Sequence, residues 1–334
     1  MPKRILGILL LALIFLNGCN QPKNQKLVVY TYASFPTVII DQVKKYFNQN
    51  FRQQVEFKSF SDTGPLFNEL LQEKEKPQAD VVVGLDSNYL PKVVAADLLQ
   101  AYQPPAAAKI RSDLIFDPQY RLIPFDYGYV VFNYDRERLN RIPKSHRDLL
   151  DPYYKNKIIL TNPLTSSPGQ VFLLTTVALF GDPGYLDYWR ELKKNLLTIT
   201  PGWDEAYGMY TGGEAPLVLS YSTSPVYHLI NEQTERYQAL VLDDAAYAQI
   251  EGIGIVKNAA HLKDAQQLVD YLLSPEIQQL IPENQFMYPV RTDLTLPDSF
   301  RIAAQAQRLL NLPPTQVAAN LERWLAAWEK VINE

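Results

Sequence analysis

The sequence predicts an α/β fold in two lobes, each a mostly parallel sheet flanked by helices, joined by hinge strands. Three observations carry this. The first hundred residues alternate strand, helix, strand, helix, strand, the pattern of parallel sheets covered by helices. The chain has 334 residues, enough for two cores of ordinary domain size. No linker-like stretch divides it, so the lobes must be joined by strands that cross between them.

Taken in order, 27–32 is an apolar β-rich run that reads as a buried strand. Helical spacing follows at 38–47 and strand-like alternation at 55–60. Ser61-Asp62-Thr63-Gly64 is a turn feeding a helix at 66–74, and 79–85 is a buried strand ending at Asp86. Farther along, strands are expected at 123–135, 157–160, 217–221 and 249–256. Helices are expected at 171–179, 186–197, 262–273, 275–281, 300–310 and 314–332. The crossings fall near 125–129 and 250–255. This divides the chain into 27–125 with 256–334 as the first lobe and 126–255 as the second. Ser-Pro at 167–168, 224–225 and 274–275 marks helix starts, with Ser capping free N–H groups and Pro fitting the first turn. Ser167 with Gln170 also fits a capping box.

The formal net charge is −4, and Lys3 and Arg4 are the only charges in the first eighteen residues, so the rest is more acidic still. An acidic body argues against nucleic acid as a partner and suits a cationic ligand. Tyrosine is abundant, at 21 residues. Its apolar face and polar tip suit capture of a flat polar molecule.

Lys3 and Arg4 precede an apolar run at 5–16 that ends at Asn17-Gly18-Cys19. The run is too short for a membrane-spanning helix and reads as a secretory signal. Leu16, Gly18 and Cys19 resemble a bacterial lipobox, which predicts acylation of Cys19 and membrane attachment through 20–26 as a polar tether. Cys19 is the only cysteine, so no intramolecular disulfide can form.

Catalytic signatures are missing: no nucleophile elbow, no H-E-x-x-H, no C-x-x-C and no phosphate loop. His146, His228 and His261 are scattered. Tyr153-Tyr154 is a weak hint of ferric iron ligation, without a carboxylate–histidine set beside it. No metal, cofactor or catalytic residue is expected. The informative feature is a set of motifs where aromatics meet polar turn residues at the ends of strands: Tyr30-Thr31-Tyr32-Ala33-Ser34-Phe35, Asp62, the segment at 124–129, Thr165-Ser166-Ser167-Pro168-Gly169, the segment at 202–207, the segment at 220–228, and Phe286-Met287-Tyr288-Pro289-Val290. Open α/β sheets bind ligands outside the carboxyl ends of their strands, which points to one shared cleft.

At YTYASF, ADVVVGLD, PFDYGY, TSSPG, GWDEAYG, LVLSYSTSPVYH and MYPV the chain resembles the periplasmic thiamine-binding proteins of ABC importers, over nearly all of 27–332. The resemblance implies a two-lobed type II solute-binding fold that delivers thiamine, or its mono- or diphosphate, to an ABC permease. It implies a periplasmic or cell-surface monomer. Tyr227 and Phe286 match a pair that sandwiches the thiamine rings, where the family commonly has Trp at 286. Asp62, Ser166, Trp203 and Tyr221 match positions at the phosphate or hydroxyethyl end, and Tyr32 matches a cleft-lining aromatic. Thr63 stands where a relative has Gly. Backbone and hydroxyl groups at 165–169 are expected to suit a phosphate. Asp126 either balances the thiazolium cation or braces the hinge. The competing readings are a polyamine binder of the same fold and a thiaminase-like enzyme. The latter lacks its cysteine nucleophile here.

Overall fold

The structure is a computed structural model and describes residues 26–334. The signal-like segment and Cys19 lie outside the described residues.

The strand–helix alternation of the first hundred residues is the one the sequence predicts. Strands β1 (Leu27–Tyr32), β2 (Val55–Phe60) and β3 (Val81–Asp86) pair in parallel, with β1 central. Helix α1 (Thr37–Phe51) presents Ile39, Val43 and Phe47 at four-residue spacing to one face of this sheet. Helices α2 (Thr63–Gln72) and α3 (Leu90–Ala96) cover the other face through Leu66, Phe67, Leu70 and Val93. Gly84 permits one close approach. Its φ is +106°, and a Cβ there would lie 2.2 Å from the Tyr32 ring. Any side chain would expel Tyr32 from its place across β3.

Strand β4 (Leu99–Gln100) precedes the long β5 (Ile123–Asp135). The second lobe adds β6 (Ile158–Thr161), β7 (Leu196–Thr200), β8 (Leu217–Tyr221) and β9 (Tyr237–Leu240). Helix α4 (Ser167–Phe180) is buried along nearly its whole first three turns. Helix α5 (Gly184–Leu192) packs against it, while α6 (Trp203–Thr211) packs on β6, β7 and β8, and α7 (Ser224–Asn231) on β9. The return crossing is β10 (Ala245–Val256). It pairs antiparallel with β5 from Tyr247 to Ile253, with β3 from Glu251 to Ile255, and in parallel at Ala245–Tyr247 with β12 (Arg308–Leu310). Helices α8 (Leu262–Leu272), α9 (Pro275–Gln278) and α10 (Ile281–Asn284) and strand β11 (Tyr288–Pro289) return to the first lobe. Helix α11 (Pro314–Asn333) ends the chain. One sheet of order β2-β1-β3-β10-β5-β8-β6-β7 runs through both lobes, with the two long strands at its centre. The two-lobed α/β architecture is the one expected.

Three local expectations fail. Residues 300–310 are not a helix but a short 3-10 turn, Asp298–Ile302, followed by β12. The edge of β10 offers unpaired backbone there, and pairing it outweighs a weak local helix preference. The helix expected to reach 197 stops at Leu192, because Leu196–Thr200, rich in β-branched residues, adds to β6 as β7. The C-terminal helix does not belong to the first lobe. Val317, Leu321, Trp324, Leu325, Trp328 and Val331 are buried in the second core, where Trp328 meets Trp189 edge to face at 5.6 Å.

Candidate functional site

A cavity of about 360 Å³ lies between the lobes, over the crossing strands. Tyr32, Ser61, Asp62 and Thr63 come from one side, Ser167, Pro168, Trp203 and Tyr207 from the other, and Tyr221, Tyr227, Gln249, Glu251 and Phe286 from the hinge region. Of the residues singled out in the sequence, Tyr32, Asp62, Trp203, Tyr221, Tyr227 and Phe286 line it. Asp126, Thr165 and Ser166 do not.

Asp62 caps α2 and is 8% exposed. Its carboxylate accepts from the Thr63 N–H at 2.7 Å and, across the cleft, from the Trp203 N–H at 3.2 Å. Burial pushes its carboxyl upward, and these donors oppose that. The N-terminus of α6 is thereby met by a carboxylate from the opposite lobe, the charge its dipole favours. Trp203 donates from Nε1 to Ser220 Oγ at 2.9 Å and stacks on Tyr207 with 4.8 Å between ring centres. Tyr207 continues the stack to His228, whose Nε2 lies 2.9 Å from the Tyr207 hydroxyl. This makes one wall a rigid aromatic slab.

Tyr227 and Phe286 stand together, but not as a parallel sandwich. Their rings meet edge to face, 5.3 Å between centres and 85° between planes. A flat ligand ring between two faces needs about 7 Å, two contact distances of about 3.5 Å. Tyr227 is 38% exposed, whereas the Phe286 backbone is held in place. Its φ is +57°, and its carbonyl accepts from the Thr223 hydroxyl at 2.5 Å.

Three expected residues stand outside the lining. Thr165 donates its hydroxyl to the Pro201 carbonyl at 2.6 Å, and its own carbonyl accepts from the Gly64 N–H at 3.2 Å across the cleft. Ser166 is buried next to the Asp62 carboxylate. Asp126 is wholly buried beneath the cavity in the β5–β10 pairing.

Ser167, expected to cap α4, instead turns its hydroxyl across the cleft to the Asp86 carboxylate, and lies 2.9 Å from the Thr63 hydroxyl. The capping box with Gln170 does not form. Donating to a buried carboxylate makes a charge-assisted hydrogen bond, stronger than the neutral one a capping hydroxyl accepts from a helix N–H. The Ser274 cap of α9 does form, accepting from the Ile277 N–H at 3.4 Å.

Gln249 and Glu251 were missed in the sequence as ligand-facing residues. The signal was present: a carboxylate and an amide inside an otherwise apolar, largely buried strand are out of place unless a site requires them. Glu251 accepts from the Tyr32 hydroxyl at 2.7 Å and from Gln249 Nε2 at 3.2 Å. Among the described residues no Lys or Arg lines the cavity, and its ionisable carboxyls are Asp62, Asp204, Glu232 and Glu251. Tyr154 is buried and donates to the Arg141 carbonyl, away from the cavity, and no metal-binding cluster occurs among the described residues.

A closed cleft between two lobes hinged on crossing strands, with an aromatic wall and a polar floor, defines a two-lobed solute-binding protein. The chain belongs to the bacterial extracellular solute-binding protein family, whose model matches residues 76–313. It is 35% identical to the thiamine-binding periplasmic protein of Brucella abortus, over 97% of this chain and 98% of that protein. It is 33% identical to the protein of the same name from Escherichia coli K12, over the whole of both chains. The solved structure of a periplasmic thiamin binding protein superposes with a TM-score of 0.85 at 33% identity, covering 92% of this chain and 96% of that one.

Proposed function

We propose that this chain captures thiamine, or a thiamine phosphate, in the interlobe cavity and delivers it to an ABC permease. The observation that carries the reading is an aromatic-walled cavity whose ionisable lining is wholly acidic, in a chain similar over its full length to proteins named for thiamine binding. Thiamine presents a fixed cationic ring and a flat aminopyrimidine. Aromatic faces attract such a cation by about 0.5–2 kcal/mol, and carboxylates hold it or accept the exocyclic amine. Binding without turnover is the role the family supports. The place of action is outside the inner membrane, with Cys19 as the acylated anchor and the single chain as the working unit. Calorimetry with thiamine, its two phosphates and spermidine tests the reading. Submicromolar binding of thiamine or a phosphate ester with weak spermidine binding supports it, and the reverse order refutes it.

A further inference from the structure

The cavity floor carries a row of carboxylates with no cation beside it. Glu251 on β10 lies opposite Asp86 on β3 and opposite Asp126 on β5 in the strand register. Directly opposed residues share a sheet face, so the three acids stand side by side under the cleft. None is more than 6% exposed.

The groups facing this row are acids or neutral. Tyr32 on β1 donates to Glu251, and Gln285 donates to Tyr32 in turn. Gln249 stands beside Glu251 on β10, Tyr221 faces it from β8, and Asp62 faces it from the start of α2. Ser167 at the start of α4 donates to Asp86. Among the described residues no Lys, Arg or His pairs with Asp62, Asp86, Asp126 or Glu251.

Acceptors beneath the cavity go unmet. Neither Asp126 oxygen has a partner, and Gln249 Oε1, on a 1% exposed side chain lining the cavity, has none either. Buried acceptors without donors are costly, and neighbouring buried carboxylates cannot all ionise. The floor therefore lacks a positively charged donor, and burial favours the protonated form of its carboxyls. Burial pushes the Glu251 carboxyl up to about 8, with Asp86 and Asp62 adding to the shift, and burial followed by Glu251 pushes Asp126 upward too.

We propose that Glu251, backed by Asp126, is the counter-ion subsite for the positively charged part of the captured solute, and that filling it displaces a proton from this carboxylate row to solvent. The identity of the cation rests on the thiamine reading, whereas the subsite does not.

Calorimetric titration of the full-length chain in detergent, at neutral pH in phosphate and in Tris, counts the protons released. Thiamine is expected to release part of a proton, and a neutral isostere with thiophene in place of thiazolium none. Affinity for thiamine should rise by about three- to tenfold per pH unit over roughly pH 6 to 8. Glu251→Gln should abolish both effects. Thiamine binding to the unaltered chain without proton release overturns the proposal, and needs no variant to fold. Equal release from Glu251→Gln and the unaltered chain also overturns it. Failure of thiamine to bind, with spermidine binding and releasing protons, upholds the subsite and refutes the thiamine reading.

Discussion

Phe286 holds a backbone conformation that side chains larger than glycine seldom adopt, at a cost of about 1–3 kcal/mol. The Thr223 hydroxyl on its carbonyl and the Ile281 carbonyl accepting its N–H fix it there. The strain aims its ring at Tyr227. Tyr227→Ala should weaken thiamine binding by about ten- to a hundredfold, the loss of about 1.4–2.7 kcal/mol of ring contact. The melting temperature should barely move, because this ring is half-exposed. A large fall in melting temperature with intact affinity would make Tyr227 a packing residue only. Phe286→Trp should bind as well or better, since indole has the stronger face for a cation. The aromatics at strand ends were legible because several such motifs gather at the carboxyl ends of strands, where open α/β sheets bind ligands. Glu251 and Gln249 were hidden inside a strand. Ser167 was legible as a helix start but not as a contact across the cleft, because its partner Asp86 is 81 residues away.

Among the elements, α11 departs most from the sequence reading. Its apolar stripe was legible at helical spacing, but a stripe does not name the surface it will cover. The indole of Trp328 is buried against Trp189. Trp328→Ala should cost about 3–5 kcal/mol of stability while leaving affinity near its original value, as chemical denaturation and titration of one preparation will show. At the other end of the molecule, α4 begins where the lobes touch. Ser167→Ala leaves Asp86 buried with one donor fewer, a loss of about 1–3 kcal/mol in the closed state. Small-angle scattering of the unliganded variant should give a larger radius of gyration than the unaltered chain. An identical profile would show that the contact does not govern closure.

The whole molecule stores acidity at its hinge. Burial raises the carboxyls of Asp62, Asp86, Asp126 and Glu251 in the folded chain. A raised carboxyl stabilises the fold fully below its unfolded value, near 4, and that contribution is lost as pH rises through the folded value. Acids paired with arginine, such as Asp117 with Arg121 and Asp135 with Arg236, are lowered instead and act at the acid end. The melting temperature of the unliganded chain should therefore fall between roughly pH 5 and pH 8. Saturating thiamine or Glu251→Gln should flatten that slope, and a flat profile in the unaltered chain would contradict it. Export gives a separate test. Mass spectrometry should find a lipid-bearing Cys19 at the mature N-terminus, and Cys19→Ala should release the protein from the membrane.

The placement of α11 also makes the chain its own ruler. Residue 27 is sewn into one lobe and residue 331 into the other. Fluorophores attached near these two positions would ride on opposite jaws, and the energy transferred between them would track each bite of the cleft in real time. A lipid at Cys19 would moor the jaw that carries β1. The jaw carrying α11 would then do the swinging, and its outward face would change its tilt toward the membrane as solute is taken up.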